Sequence, residues 1–126
     1  MRTLTIADII LLQHKLINQT GGSHGIRDLG LIESALSRMQ ASFDGEDLYV
    51  TIESKVAAVT FSLINNHGFI DGNKRAGIAV MLLLLRINGY CLKYTQAELI
   101  RIGLGIASGE LKEISIVEWI QQHQKS

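Results

Sequence analysis

The chain has 126 residues, 47% of them apolar and 19% charged, with twelve Lys and Arg balanced by twelve Asp and Glu. One ordinary domain, residues 1–126, hides roughly two-thirds of its unfolded surface at this size, and so apolar a composition excludes a disordered chain. Zero formal charge argues against a duplex-DNA binder, which carries a basic excess, and no direct nucleic-acid binding is expected.

No proline interrupts the chain, so nothing in it must break a helix, and twelve glycines carry most of the punctuation. Met1-Arg2-Thr3-Leu4 lacks the apolar stretch and small-residue cleavage site of a signal peptide. Thr5 reads as the N-cap of a first helix, with Asp8 in its first turn and apolar residues at Ile6, Ile9, Ile10, Leu12, Leu16 and Ile17. That helix should stop near Gly21-Gly22, and a glycine-marked loop runs to Gly25. Asp28 can cap a second helix carrying Leu31, Ile32, Ala35, Leu36 and Met39. The polar stretch from Ala41 to Tyr49 reads as a loop with a turn at Asp44-Gly45. Ile52, Val56, Val59, Leu63 and Ile64 mark a third helix that fails near Asn65-Asn66.

His67 to Gly72 is then a compact loop, and Asn73 to Ile87 a fourth helix, apolar nearly all round and therefore expected at the centre. Its apolar run, Ala76 to Leu85, is far short of the roughly 20 residues that a membrane span needs, so no membrane association is expected. Asn88-Gly89 should end it through a left-handed cap. Residues 90–94 can be extended. The lone cysteine in that segment, Cys91, excludes an intrachain disulfide and a cysteine zinc site, fits a reducing cytosol, and is expected in the core. Capping boxes at Thr95-Gln96-Ala97-Glu98 and Ser115-Ile116-Val117-Glu118 open a fifth and a sixth helix, the last carrying Trp119 as a core residue. The class is all-α, a compact bundle of about six helices with at most a short extended segment near 90–94.

The informative stretch is His67-Gly68-Phe69-Ile70-Asp71-Gly72-Asn73-Lys74-Arg75. A helix start exposes unpaired N–H groups and about half a positive charge, which together favour a phosphate. Gly72 permits close backbone approach, and Lys74 and Arg75 add two cationic donors to the same turn. Asp71 would repel a phosphate unless a cation such as Mg²⁺ lay between them. His67 can accept a proton at neutral pH. Phe69 is expected to point into the core and pin the loop. Taken singly, His67 could be a helix cap or a surface histidine, Asp71-Gly72 an ordinary turn, and Lys74-Arg75 a solvated pair. Their coincidence within one loop supplies a base, a metal carboxylate and an anion cradle, the parts of a nucleotide-dependent transferase.

This segment resembles the signature of the Fic and death-on-curing (Doc) family, His-x-Phe-x-Asp/Asn-Gly/Ala-Asn-Lys/Gly-Arg, with every defining position filled. Gly25-Ile26-Arg27-Asp28, Glu33-Ser34-Ala35-Leu36, Gly45-Glu46-Asp47-Leu48-Tyr49 and Asn88-Gly89-Tyr90 also resemble Doc-type segments in Doc-type order. The resemblance implies a compact helical bundle around the motif. It implies that His67 is the general base for a target hydroxyl and that Asp71 holds Mg²⁺. Gly72, Asn73, Lys74 and Arg75 would bind the phosphates of ATP, and Phe69 would be structural.

Departures refine it. Fic adenylyltransferases usually carry Gly where Lys74 stands and a second Arg where Ile78 stands, which points towards the Doc subgroup. That subgroup implies a toxin acting as a Mg-ATP-dependent kinase on a threonine of translation elongation factor Tu. Gly68, where many relatives have Pro, is expected to loosen the loop. The nearest match to an inhibitory Ser/Thr-x-x-x-Glu-Gly/Asn helix, Ser42 to Glu46, is followed by Asp47 and broken by Gly45. Control would therefore come from a cytoplasmic antitoxin partner laying an amphipathic segment in a groove. AMP transfer and a non-catalytic interaction module are the competing readings. Arg27-Asp28 could edge the mouth of the site, or Asp28 could merely cap a helix. Glu46, Asp47 and Tyr49 could form a target-docking flap or a solvated loop. His14, His24 and His123 show no metal-ligand spacing.

Overall fold

A computed structural model describes residues 1–125. Among these residues there are six α-helices: α1 (Ile6–Thr20), α2 (Leu29–Ser37), α3 (Ile52–Asn66), α4 (Asn73–Ile87), α5 (Gln96–Ala107) and α6 (Glu113–His123). A short 3₁₀ turn, Arg38–Gln40, follows α2, and two two-residue strands, β1 (Ser42–Phe43) and β2 (Glu46–Asp47), make a small antiparallel hairpin. The class is all-α. No described helix is long and apolar enough to cross a membrane.

Local chemistry sets most boundaries. The Thr5 hydroxyl accepts from Asp8 N–H while Asp8 accepts from Thr5 N–H, closing a capping box on α1. Thr51 and Ser54 do the same for α3, and Thr95 and Glu98 for α5. Gly89, at φ 86°, lets the chain leave α4.

The centre lies on α3 as much as on α4. α3 packs against α2, α4, α5 and α6, while α4 packs against α1, α3 and α5. Small residues on α3, including Ala57, Ala58, Thr60 and Ser62, are buried and let neighbours approach from several sides. Gly77 on α4 meets α3 so closely that a Cβ there would lie 2.5 Å from Ile64 Cγ1.

Four sequence expectations need correcting. The sixth helix begins at Glu113, because Ser115 serves as the third helical residue and accepts from Lys112 N–H (3.1 Å), leaving no capping box at 115–118. Asp28 precedes α2 in extended conformation, but its side chain makes no capping bond. The Ala41–Tyr49 stretch holds the only sheet among the described residues: Asp44 (φ 54°) and Gly45 (φ 80°) are both left-handed, which suits a tight hairpin turn. Cys91 is exposed, because residues 90–94 are extended and pair with the end of α6 through Lys93 N–H to His123 C=O (2.8 Å) and Lys125 N–H to Cys91 C=O (2.7 Å). Alternation then turns Tyr90 and Leu92 inward and Cys91 outward. Trp119 packs against the core as expected, half-buried and stacked on His123 with ring centroids 4.1 Å apart.

His123 also joins α6 to the start of α5, its Nε2 lying 2.5 Å from Glu98 Oε2. The bond from His123, then the Thr95 backbone N–H, holds the Glu98 carboxyl below its ordinary value of 4.5. A carboxyl lowered by folding contributes stability that is complete above its unfolded value and is lost as pH falls through the folded one. Thermal melts taken from pH 6 to pH 3 should therefore show a falling midpoint below about pH 4.5. Glu98→Gln should flatten that fall; an unchanged acid limb would show that the contact adds nothing.

Candidate active site

α3 ends because His67 turns left-handed (φ 52°, ψ 49°), a conformation that costs a side-chain-bearing residue about 1–2 kcal/mol and must be held from outside. The following turn is held residue by residue. Gly68 C=O accepts Arg27 N–H (2.8 Å) and Asp28 N–H (2.9 Å), and Ile70 N–H donates to Gly25 C=O (3.1 Å). Phe69, 2% exposed, enters the core between those bonds. Gly68 is thus not a loosening point: it is buried, and a Cβ there would sit 2.6 Å from Ile32 Cγ1.

Asn73 closes the turn from its far end. Its carbonyl oxygen accepts Phe69 N–H (3.0 Å) and its amide donates to Phe69 C=O (3.0 Å). Both side-chain groups of Asn73 are therefore spent on the loop, leaving its backbone N–H for any ligand. Gly72, left-handed at φ 74°, precedes α4, and a Cβ there would lie 3.0 Å from Ile17 Cδ1. The first intrahelical bond runs from Ala76 N–H to Gly72 C=O (2.8 Å), so the N–H groups of Asn73, Lys74 and Arg75 come before it.

These residues line one open cleft of about 460 Å³. His67, Asp71, Lys74 and Arg75 contribute to its wall together with Ile64 and Ala107. His67 and Lys74 are exposed. Asp71 Oδ2 accepts Ser23 N–H (3.0 Å) and Oδ1 accepts Gly72 N–H (2.7 Å). These two N–H groups, with Arg75 adding to them, hold the Asp71 carboxyl below the ordinary aspartate range. Arg75 points to the end of α1: it donates to Thr20 Oγ1 and to Gly21 C=O (2.8 Å), and lies 3.6 Å from Asp71 Oδ1.

Asp71 fits a hard cation. It is charged and half-exposed, and its two accepted N–H bonds leave lone pairs on both oxygens. Among the described residues no group of three or more His, Cys, Asp or Glu is placed to hold a metal. An ion here would take one carboxylate and draw its other ligands from phosphate and water, as Mg²⁺ does.

The other candidates lie apart from this lining. His14 and His24 pack together, ring centroids 4.3 Å apart. Asp47 meets Lys55 (3.2 Å), and Tyr49 accepts from Arg38, so the hairpin is anchored although its strand residues are exposed. One supporting residue escaped the sequence reading. Gln13, 3% exposed, donates to Asp71 C=O (3.0 Å); the signal was a polar residue in the buried stripe Ile9, Gln13, Ile17. Arg27, a candidate for the mouth of the site, reaches the end of α3 with its guanidinium, and no local pattern announces that contact.

A sequence model described as the Fic/DOC family matches residues 3–85. A protein named Toxin Doc from Mycolicibacterium smegmatis is 44% identical over 69 residues, covering 55% of this chain and about half, 53%, of that relative. A protein named Protein kinase doc from Escherichia phage P1 is 30% identical over 122 residues, covering 97% of this chain and 95% of the relative.

Removing the Asn73 side chain should release both bonds to Phe69. Asn73→Ala should cost about 1–3 kcal/mol in urea denaturation, since a part-buried N–H and C=O lose their partners. A change below about 0.5 kcal/mol, the range of ordinary surface substitutions, would show that the loop closes without it.

Proposed function

The chain belongs to the Fic/DOC family, and we propose that it is a Doc-type toxin that transfers the γ-phosphoryl group of ATP to a target hydroxyl, a threonine of translation elongation factor Tu. The observation that carries the kinase reading is the pair Lys74 and Ile78. Lys74 stands exposed at the cleft, where Fic adenylyltransferases usually carry a glycine. Ile78 packs towards α5, where a Cβ on Gly103 would meet it at 3.5 Å, and offers no second phosphate ligand. The name of the phage relative agrees with this reading.

In this mechanism His67 takes the proton from the target hydroxyl. The freed oxygen attacks the γ-phosphorus, the bond to the bridging oxygen breaks, and ADP leaves with that electron pair. The N–H groups of Asn73, Lys74 and Arg75 and the Lys74 ammonium hold phosphate oxygens, with the Arg75 charge in the same turn. Asp71 would hold Mg²⁺, which when bound neutralises phosphate charge. The Ser23 and Gly72 N–H groups keep the Asp71 carboxylate in place and ionised, and Gln13 holds the backbone carbonyl of Asp71. The target and the ATP put the protein in the cytoplasm.

The proposed partner is an antitoxin. A second cleft of about 460 Å³, over the C-terminal half of α4, suits an amphipathic segment: Leu12, Leu82, Leu83, Tyr90, Leu92 and Tyr94 line it. Leu82→Arg should keep toxicity in cells yet escape neutralisation by the antitoxin; full neutralisation would place that partner elsewhere.

The deciding experiment is incubation with elongation factor Tu and ATP labelled at either the α or the γ phosphate, followed by intact mass. A gain of one phosphate supports the kinase, a gain of AMP overturns it in favour of adenylylation, and no gain revives the non-catalytic module. His67→Ala should lower the rate by about 10²–10⁴ without loss of fold. Asp71→Asn should weaken the magnesium dependence. Lys74→Gly should cost roughly 10- to 150-fold, the worth of one charge-assisted contact; unchanged transfer would leave Lys74 a solvated charge.

A further inference from the structure

We propose that Arg27 is a positioning residue for the base: it holds His67 in its left-handed conformation by gripping the carbonyl end of α3. The inference rests on the reading of His67 as that base. Arg27 Nε donates to the His67 C=O (2.6 Å), and its Nη2 donates to the Asn66 C=O (3.0 Å). Its own backbone N–H donates to the next carbonyl, that of Gly68 (2.8 Å). One residue thus binds three consecutive carbonyls, and the middle one belongs to His67.

The need for such a grip is visible in the sequence of α3. No basic residue lies in its last turn, so nothing local neutralises the carbonyl end of the helix dipole. A charged, forked donor arriving from another segment does so, and the planar guanidinium fixes the direction of two carbonyls at once. The strand-like bridge of Ile26 to Phe69 sets Arg27 at the required place. The same segment holds the cradle side of the loop through different atoms: Gly25 C=O receives Ile70 N–H, and Ser23 N–H reaches Asp71. Removing the Arg27 side chain should therefore release His67 while leaving the phosphate side held.

The test uses Arg27→Ala and Arg27→Lys in the full chain, with two readouts. The first needs no substrate: amide hydrogen exchange by NMR at Asp28 and Phe69, whose N–H groups donate to Gly68 C=O and Asn73 Oδ1, compared with Ala76 and Val80 in α4. The second is steady-state transfer to the target. Arg27→Ala should speed exchange at Asp28 and Phe69 at least tenfold with α4 unchanged. It should lower kcat by roughly 10²-fold, the effect of a misplacement near 1 Å, with KM for ATP within twofold. Arg27→Lys, which keeps a cation and loses the fork, should fall between Ala and wild type in both. Unchanged loop exchange in Arg27→Ala overturns the proposal whatever kcat does, because a loss of rate would then mean direct contact with substrate. Equal acceleration at α4 overturns it in favour of a general loss of stability. If wild type shows no transfer at all, the kinase reading fails, and the exchange result still decides whether Arg27 holds the loop.

Discussion

Everything distinctive in this molecule hangs on a six-residue turn, His67 to Gly72, that belongs to neither of the helices it joins. Its conformation is imposed by hydrogen bonds from the stretch between Gln13 and Asp28, which touches the turn at the carbonyls of His67, Gly68 and Asp71, at Ile70 N–H and at the Asp71 carboxylate. Phe69 is the apolar counterpart, driven into the core while the backbone around it stays polar and satisfied. A turn with two left-handed residues, His67 and Gly72, persists only because its surroundings over-determine it.

The helices beneath the turn give it rigidity. α3 and α4 deliver its two ends, and the close approach of Gly77 to Ile64 sets their distance one turn further in. Net charge is zero overall, yet Lys74, Arg75 and the start of α4 gather positive charge on one side of the cleft, and Asp71 sits against it. The dipole of one helix start and one carboxylate do locally what a basic composition would do globally.

Most helix limits were legible because they are local: Thr5, Thr95 and Gly89 act within four residues of themselves. The motif was legible for the same reason, as nine consecutive residues. What escaped depends on chain segments far apart. Nothing near Arg27 says that it will meet Asn66 and His67, and nothing near Arg75 says that its guanidinium will turn to Thr20 and Gly21. Cys91 was misplaced because its exposure follows from a pairing with the far end of α6. The two-residue strands are too short to leave any alternation, and only Asp44-Gly45 marked them.

The separations in that brace carry a consequence for the order in which the molecule comes together. Gln13 and Asp71 are 58 residues apart, Ser23 and Asp71 48, and Arg27 and His67 40. Contacts that span such stretches form only after the loop between them has closed, so they follow the helices in time. A ribosome-bound fragment can hold α1, α2 and most of α3 and still lack the cleft, because the turn has not yet emerged to meet its brace. The arrangement of the cleft therefore comes into being with the folded chain and not before it, and a chain that stalls or is degraded midway never assembles it.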